Sequence, residues 1–278
     1  MEHILSLSYG KDSLACLGAI DELGWPLDRI IHAEIWAMRD IPGELPPMIA
    51  FKEKADAIIK ERWGIEVEHL RGKYTYEDIF YQRFTKGKKA GQIYGFPMVR
   101  GPWCNDRLKL STLVPATRGA VSYIGIAVDE PQRLQYVQEN EKYPLVEAGW
   151  TEEKCRQWCE ENDLLSPIYS SSARGGCWFC HNQGADQLRF LYRNYPEYWK
   201  MLLRWDFDSP NTFKADGYTV SMYDRRFRME DEGLLDPGDP KFRWSQVHQH
   251  YARKAFQNDL QAGDKLVVSI KRNGKNKK

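Results

Sequence analysis

The passage Ile4-Leu5-Ser6-Leu7-Ser8-Tyr9-Gly10-Lys11-Asp12-Ser13, followed at once by Leu14-Ala15-Cys16-Leu17-Gly18-Ala19-Ile20, constrains this chain more than any other. A short apolar strand that breaks into a hydroxyl-rich turn and opens a helix leaves backbone N–H groups without partners, aimed at whatever lies above the turn. Such a turn suits an oxyanion. Ser8 and Ser13 add hydroxyl donors, Gly10 permits close approach of the backbone, and Lys11 supplies a point charge. The spacing excludes a Walker loop, which sets its Gly-Lys pair further from its first glycine, and it excludes a dinucleotide fingerprint. An ordinary helix cap at Asp12 or Ser13 is the plainer use of the same residues.

The pattern beyond the turn alternates. Arg29 to Trp36 reads as a second strand, Met48 to Trp63 as an amphipathic helix closed by Gly64, Ile65 to Leu70 as a third strand, and Val121 to Ala127 as a buried fourth. Strand and helix in this rhythm predict crossover connections and a parallel sheet, hence an α/β fold. Asp129, Glu130 and Arg133 follow the fourth strand, at the edge where open parallel sheets bind ligands. There the two acids can hold magnesium or a ribose and the arginine can neutralise phosphate, although a solvated salt-bridged loop has the same composition. Glu34 and Asp40, near the end of the second strand, are weaker candidates for adenosine contacts. Tyr74 to Arg100, rich in Gly, Lys and aromatics, reads as a flap over the nucleotide.

The later part reads as helical and aromatic. Leu188 to Asp206 carries Leu191, Tyr195, Trp199, Leu202, Leu203 and Trp205 at packing spacing. Asp224-Arg225-Arg226-Phe227-Arg228 is either an anion reader or a solvated helix face. The expected division is a nucleotide-binding domain over 1–185 and a helical extension over 186–278. Forty basic and 39 acidic residues leave a formal charge of +1, so no global field draws the chain to nucleic acid. The basic end, 271–278, reads as a solvated tail. No apolar run approaches the ~18 residues that span a bilayer, and no leader is evident, so a cytoplasmic protein without membrane contact is expected.

Six cysteines in such a chain argue for thiol, metal or redox chemistry rather than a disulfide scaffold. Cys16 falls on the apolar face of the first helix. Cys155 and Cys159 share a face of a helix starting near Thr151, where packing is the simplest role. Arg174-Gly175-Gly176-Cys177-Trp178-Phe179-Cys180-His181 is different, being a Cys-x-x-Cys knuckle able to chelate a metal or to form a redox disulfide. Cys104, in Gly101-Pro102-Trp103-Cys104-Asn105-Asp106-Arg107-Leu108-Lys109, is the best third ligand, and His181 is a candidate fourth.

Ser8-Tyr9-Gly10-Lys11-Asp12-Ser13 resembles the PP-loop, Ser-Gly-Gly-x-Asp-Ser, of the ATP pyrophosphatase (adenine nucleotide alpha-hydrolase-like) superfamily. Trp103 to Lys109, and Gly125-Ile126-Ala127-Val128-Asp129-Glu130, resemble segments of its phosphoadenosine phosphosulfate reductase-like branch. Cys104, Cys177 and Cys180 are similar to the three-cysteine set of iron–sulfur PP-loop tRNA thiolases. The resemblance runs from Ile4 to Asp206 and implies a Rossmann-like (HUP-type) parallel sheet with helices on both faces. It implies that ATP or a related adenylyl nucleotide binds at Ser8, Tyr9, Gly10, Lys11, Asp12, Ser13, Glu34, Gly125, Asp129 and Glu130, with Mg²⁺. Catalytic roles would fall to Lys11, Asp12 and Arg133. Cys104, Cys177 and Cys180 would hold a [4Fe–4S] cluster, zinc being the alternative. The implied reaction adenylates an acceptor, releases pyrophosphate and transfers sulfur. Implied partners are a nucleic-acid or small-molecule acceptor, a protein donor of sulfur or electrons, and a second copy of the chain. The alternatives are a true sulfonucleotide (PAPS/APS) reductase and a non-catalytic nucleotide binder with a structural zinc knuckle. Three departures matter: Tyr9 stands in place of a glycine, Ala127 in place of an arginine, and no cysteine follows Cys180, where the reductases carry their nucleophile.

Overall fold

The computed structural model describes residues 1–97, 102–136, 139–170 and 176–254. Arg100, Arg174, Gly175 and the basic tail over 271–278 lie outside the described residues. The chain opens with β1 (His3–Ser6), whose consecutive residues Ile4 and Leu5 are both fully buried. Burial without alternation requires cover on both faces, the condition of an interior parallel strand. After α1 (Lys11–Leu23) comes β2 (Arg29–Glu34), with Ile30, Ile31, His32 and Ala33 buried in succession. The expected strand to Trp36 is in fact two, because the chain turns into an antiparallel hairpin of β3 (Trp36–Met38) and β4 (Ile41–Pro42). Then follow α2 (Pro46–Trp63), ended by Gly64, β5 (Val67–Arg71) and α3 (Tyr76–Phe80).

A π-helical turn over Asn105–Leu110 runs into α4 (Ser111–Ala116), and β6 (Val121–Tyr123) is shorter than expected. Beyond a 3₁₀ turn over Pro131–Tyr136 lie β7 (Glu141–Lys142), α5 (Pro144–Glu147), α6 (Glu152–Glu161) and a second 3₁₀ turn over Pro167–Ser170. The helix expected over 188–206 is two helices, α7 (Ala185–Asn194) and α8 (Pro196–Asp208). Pro196 divides them, since it has no N–H to donate and drives Tyr195 to φ −133°, ψ 63°.

Five strands form one sheet in the order β5-β2-β1-β6-β7, every neighbouring pair parallel. β1 is central, with Ile4 opposite Arg29 on one side and Ser122 on the other. The chain builds outward from β1 through β2 to β5 and then returns to β6, so the connections leaving β1 and β6 diverge. This opens a crevice at their carboxyl ends. One face is covered by α1, α2, α5 and α6 around Leu14, Leu17, Phe51, Ile59 and Leu145, with Cys16, Cys155 and Cys159 buried there. On the other face Ile4, Ile31 and Ala120 pack against Leu113 and Ala116 of α4. The three thiols on the first face take the packing role expected of them.

The chain divides into two compact units, Met1–Gly217 and Tyr218 onward. In the first, α8 contributes to an aromatic core: Trp178 and Trp205 stack at 5.5 Å between ring centroids, and Tyr76 lies 4.2 Å from Phe179 and 4.9 Å from Trp103. In the second, Thr219 caps α9 (Val220–Asp231) by accepting from the Met222 amide. Along that helix Arg226 pairs with Glu230 at 2.8 Å and Arg228 with Asp224 at 2.7 Å. Arg226 also lies 3.8 Å over the Phe242 ring, so these arginines are engaged within their own unit. Among the described residues, no helix is long and apolar enough to cross a membrane.

Candidate functional site

The turn after β1 is sharp because Tyr9 takes φ +56°. Left-handed backbone costs a non-glycine residue about 1–2 kcal/mol, and here a tyrosine adopts it. Gly10 is extended, at φ −78° and ψ 154°, and an added Cβ would meet only Ser8 Oγ and the Tyr169 hydroxyl at an ordinary 3.5 Å. The serines close the loop on itself. The Ser8 amide donates to Ser13 Oγ at 3.1 Å, Ser13 Oγ donates to the Gly10 carbonyl at 3.0 Å, and the two hydroxyls are 2.9 Å apart. No side chain caps α1; its N-cap is Gly10. The Lys11 amide donates to the Tyr169 hydroxyl at 3.0 Å and the Leu14 amide to the Gly10 carbonyl at 3.0 Å. The amides of Tyr9, Gly10, Asp12 and Ser13 have no acceptor among the described residues. Four unpaired donors at the start of a helix favour an anion.

Gly125, after β6, packs directly against this turn: a Cβ there would lie 2.8 Å from the Ser13 nitrogen and 2.9 Å from the Asp12 carbonyl. The absent side chain lets the loop after β6 close one wall of a cavity of about 670 Å³. Ser8 to Ser13 form its floor, and Lys109, Glu130, Arg133, Glu152 and Tyr169 stand around it. Lys11 Nζ donates to Asp12 at 2.6 Å and lies 3.2 Å from Glu152, and Arg133 donates to Glu130 at 2.6 Å. Burial raises the Asp12 carboxyl above its ordinary pKa; Lys11 opposes this, while Glu152 and Glu130 reinforce it. Burial works against the Lys11 ammonium, yet Asp12 and Glu152 outweigh it and hold its pKa up. One oxygen each of Asp12, Glu130 and Glu152 lie within 4.8 Å of one another. Three hard oxygen donors at that spacing fit Mg²⁺, which keeps waters in its remaining positions.

Asp129 is not in this group. Its carboxylate accepts from the Glu152 amide at 3.0 Å and so fixes the start of α6, with Thr151 capping the same turn. Glu34 also lies elsewhere, accepting from Trp36 Nε1 at 3.0 Å beside His69 in a neighbouring cavity of about 240 Å³. The described part of the expected flap lines none of these cavities, nor does Asp40. Glu152 and Tyr169 are the site residues that sequence reasoning missed. Glu152 carries a weak signal as an acid in the first turn of a helix after a strand-end loop, whereas nothing marks Tyr169.

A third cavity, of about 360 Å³, adjoins the first and shares Ser8, Ser13, Glu44, Lys109, Gly125, Arg133 and Gly176 with it. Its walls include Leu7, Ala33, Ile35 and Ile124, and Cys177 opens into it. The knuckle is held there by the hairpin. The Trp178 amide donates to the Gly43 carbonyl at 2.7 Å, its indole to the Pro42 carbonyl at 3.0 Å, and a Cβ on Gly43 would lie 3.2 Å from the Cys177 sulfur. Burial, then Cys180, pushes the Cys104 thiol up to about 11, while the amides of Asn105 and Cys104 pull the other way. Burial raises Cys177 well above its ordinary value too, with Cys180, Glu44 and Cys104 adding to it. The three thiols are thus in electrostatic reach of one another. Their sulfurs do not converge within 4.8 Å, since among the described residues the acidic trio alone does so. Lys109 faces both larger cavities; water reaches it, but surrounding protein lowers its ammonium pKa, opposed by Cys177.

A scan against protein-family models finds no match, and a search of curated proteins finds no relative. Fold and site together define an α/β protein with a five-stranded parallel sheet and a polar crevice at its carboxyl edge.

Proposed function

We propose that this chain is a PP-loop enzyme of the phosphoadenosine phosphosulfate reductase-like kind. It binds ATP or a related adenylyl nucleotide, adenylates an acceptor with release of pyrophosphate, and joins that step to sulfur transfer. The observation that carries this reading is the continuity of two cavities: one floored by unpaired loop amides, the other containing the Cys177 thiol, with Lys109 and Arg133 on the boundary. The strand order around β1 supports a Rossmann-like arrangement, whose ligands bind at such a switch point.

In this reading the amides of Tyr9, Gly10, Asp12 and Ser13 hold the phosphates, and the apolar walls of the smaller cavity receive the adenosine. Asp12, Glu130 and Glu152 would hold Mg²⁺, which would supply positive charge against the phosphates. An acceptor oxygen bonds to the α-phosphorus as the bond to the β-phosphate oxygen breaks, and Lys11, Lys109 and Arg133 stabilise the negative charge on departing pyrophosphate. Cys104, Cys177 and Cys180 would hold the metal–sulfur centre. Bound there, an iron–sulfur cluster would supply a metal centre able to carry sulfur, and zinc would serve structure alone.

The test is to incubate anaerobically purified protein, reconstituted with iron and sulfide, with ATP, Mg²⁺ and RNA, DNA or small-molecule acceptors. Pyrophosphate and AMP are the expected products with one acceptor class. Efficient sulfite release from a sulfonucleotide with thioredoxin would instead make the chain a reductase.

A further inference from the structure

Tyr9 is buried, 1% exposed, and its ring is held on several sides. His32 meets it edge-on at 4.8 Å between centroids, and Lys52 Nζ lies 5.4 Å from its centre. Its hydroxyl donates to Asp56 and lies 3.2 Å from His69 Nε2. Asp56 is itself 2.8 Å from that nitrogen, and Glu34 is 3.2 Å from His69 Nδ1. The anchor is assembled from α2, β5 and β2, none of which belongs to the loop. Burial, with Asp56 next, keeps the phenol protonated, so it remains a donor.

The hydrogen bonds between Ser8 and Ser13 close the loop across Tyr9, whose φ is left-handed. Strained backbone of this kind persists where its surroundings over-determine it. Here they are the Asp56–His69 pair, which lines the 240 Å³ cavity, while Tyr9 also lines the phosphate-facing one. We infer that Tyr9 is a positioning residue, anchored through Asp56 and His69, that sets the backbone from which the loop presents its free amides to a phosphate-bearing ligand. This inference rests on the reading of residues 8–13 as a phosphate cradle.

Calorimetric titration of the full-length protein with ATP, inorganic pyrophosphate and adenosine tests it. Tyr9→Phe, which keeps the ring, weakens ATP and pyrophosphate binding about tenfold, the scale of a lost hydrogen bond to a charged group, and leaves adenosine binding unchanged. Asp56→Ala does the same, and the double variant is no weaker than either single one, as expected when both remove one interaction. Asp56→Asn, which still offers an acceptor oxygen, stays within about twofold of the parent. Equal loss of adenosine and ATP would make the tyrosine a mere packing residue, and additive single variants would separate it from Asp56; either overturns the inference. Undiminished pyrophosphate binding by Tyr9→Phe overturns the inference and leaves the cradle standing. A parent protein that binds none of the three ligands overturns both.

Discussion

The loop over Ser8–Ser13 and the cysteine segments, of which Cys177 lines the 360 Å³ cavity beside the loop, are built by different means. In the loop, Ser8, Gly10 and Ser13 bond to one another across five residues or fewer, and the free amides come from the same turn. The cysteines arrive from two separate segments, around Cys104 and over Cys177–Cys180, the second of which is held by the hairpin and the aromatic core. Trp178 packs between Tyr198 and Trp205, and its amide and indole hold Gly43 and Pro42. The serine bonds of the loop are local and only Tyr9 is anchored at a distance, on Asp56 and His69, whereas a site assembled from distant segments depends on every contact that brings them together. Damage to one should therefore leave the other intact.

The largest expected effect is on chemistry. Lys11→Met removes the cation that bridges Asp12 and Glu152, and pyrophosphate release should fall about 10²–10³-fold, as when one charge-stabilising group is lost from an active site. Iron bound on reconstitution should be unchanged. Loss of iron in this variant would show that the two regions are coupled. Trp178→Ala makes the complementary cut. Removing a fully buried indole should cost about 3–5 kcal/mol in chemical denaturation and abolish iron binding, while pyrophosphate still titrates into whatever fraction remains folded.

The two close-approach glycines sharpen the same comparison with smaller perturbations. A methyl at Gly125 would strike the backbone of Asp12 and Ser13, and one at Gly43 would strike the Ile35 carbonyl at 2.7 Å and crowd Cys177. Each alanine substitution should cost about 1–3 kcal/mol, the range of core overpacking. Gly125→Ala should weaken pyrophosphate binding and spare iron, and Gly43→Ala should do the reverse. If both variants lost both ligands, the cavities would behave as one mechanical unit.

This difference in construction also decides what could be read from the chain. The loop was legible because strand, turn and helix start are contiguous, and periodicity located β1, β2, α2, β5 and α6 for the same reason. The hairpin β3–β4 was not, because Trp36 to Pro42 carries too few residues to show alternation. Asp129 and Glu130 look alike in sequence, yet one caps α6 and the other joins the acidic trio, a choice made by the approach of Glu152. Tyr9 drew notice as an unexpected residue in the motif. Its anchor at Asp56 and His69 lies 47 and 60 positions away and leaves no local mark.

The smallest expected effect sets the two histidines behind the loop against each other, since their rings are 5.5 Å apart yet titrate in opposite senses. His32 lies behind Leu7, whose carbonyl accepts from Nδ1 at 2.9 Å, and its Nε2 accepts from Lys52 at 3.1 Å. Burial, then Lys52, lowers its pKa to about 3, with His69 and Lys109 adding to the effect and the Leu7 bond opposing it. His69 is raised by its bond to Asp56, burial and Lys52 notwithstanding. A depressed histidine binds its proton more readily when unfolded, so its contribution is lost as pH falls from about 6.5 toward 3. A raised one contributes fully below about 6.5 and loses that contribution as pH climbs through its folded value. Together they should place a stability maximum near pH 6.5, with at most about 1 kcal/mol lost on going down to pH 5.5. Urea denaturation across pH 5–8 measures this, and His69→Gln should flatten the alkaline limb alone. An acid limb that flattened in its place would mean that His69, and not His32, produces the loss of stability at low pH.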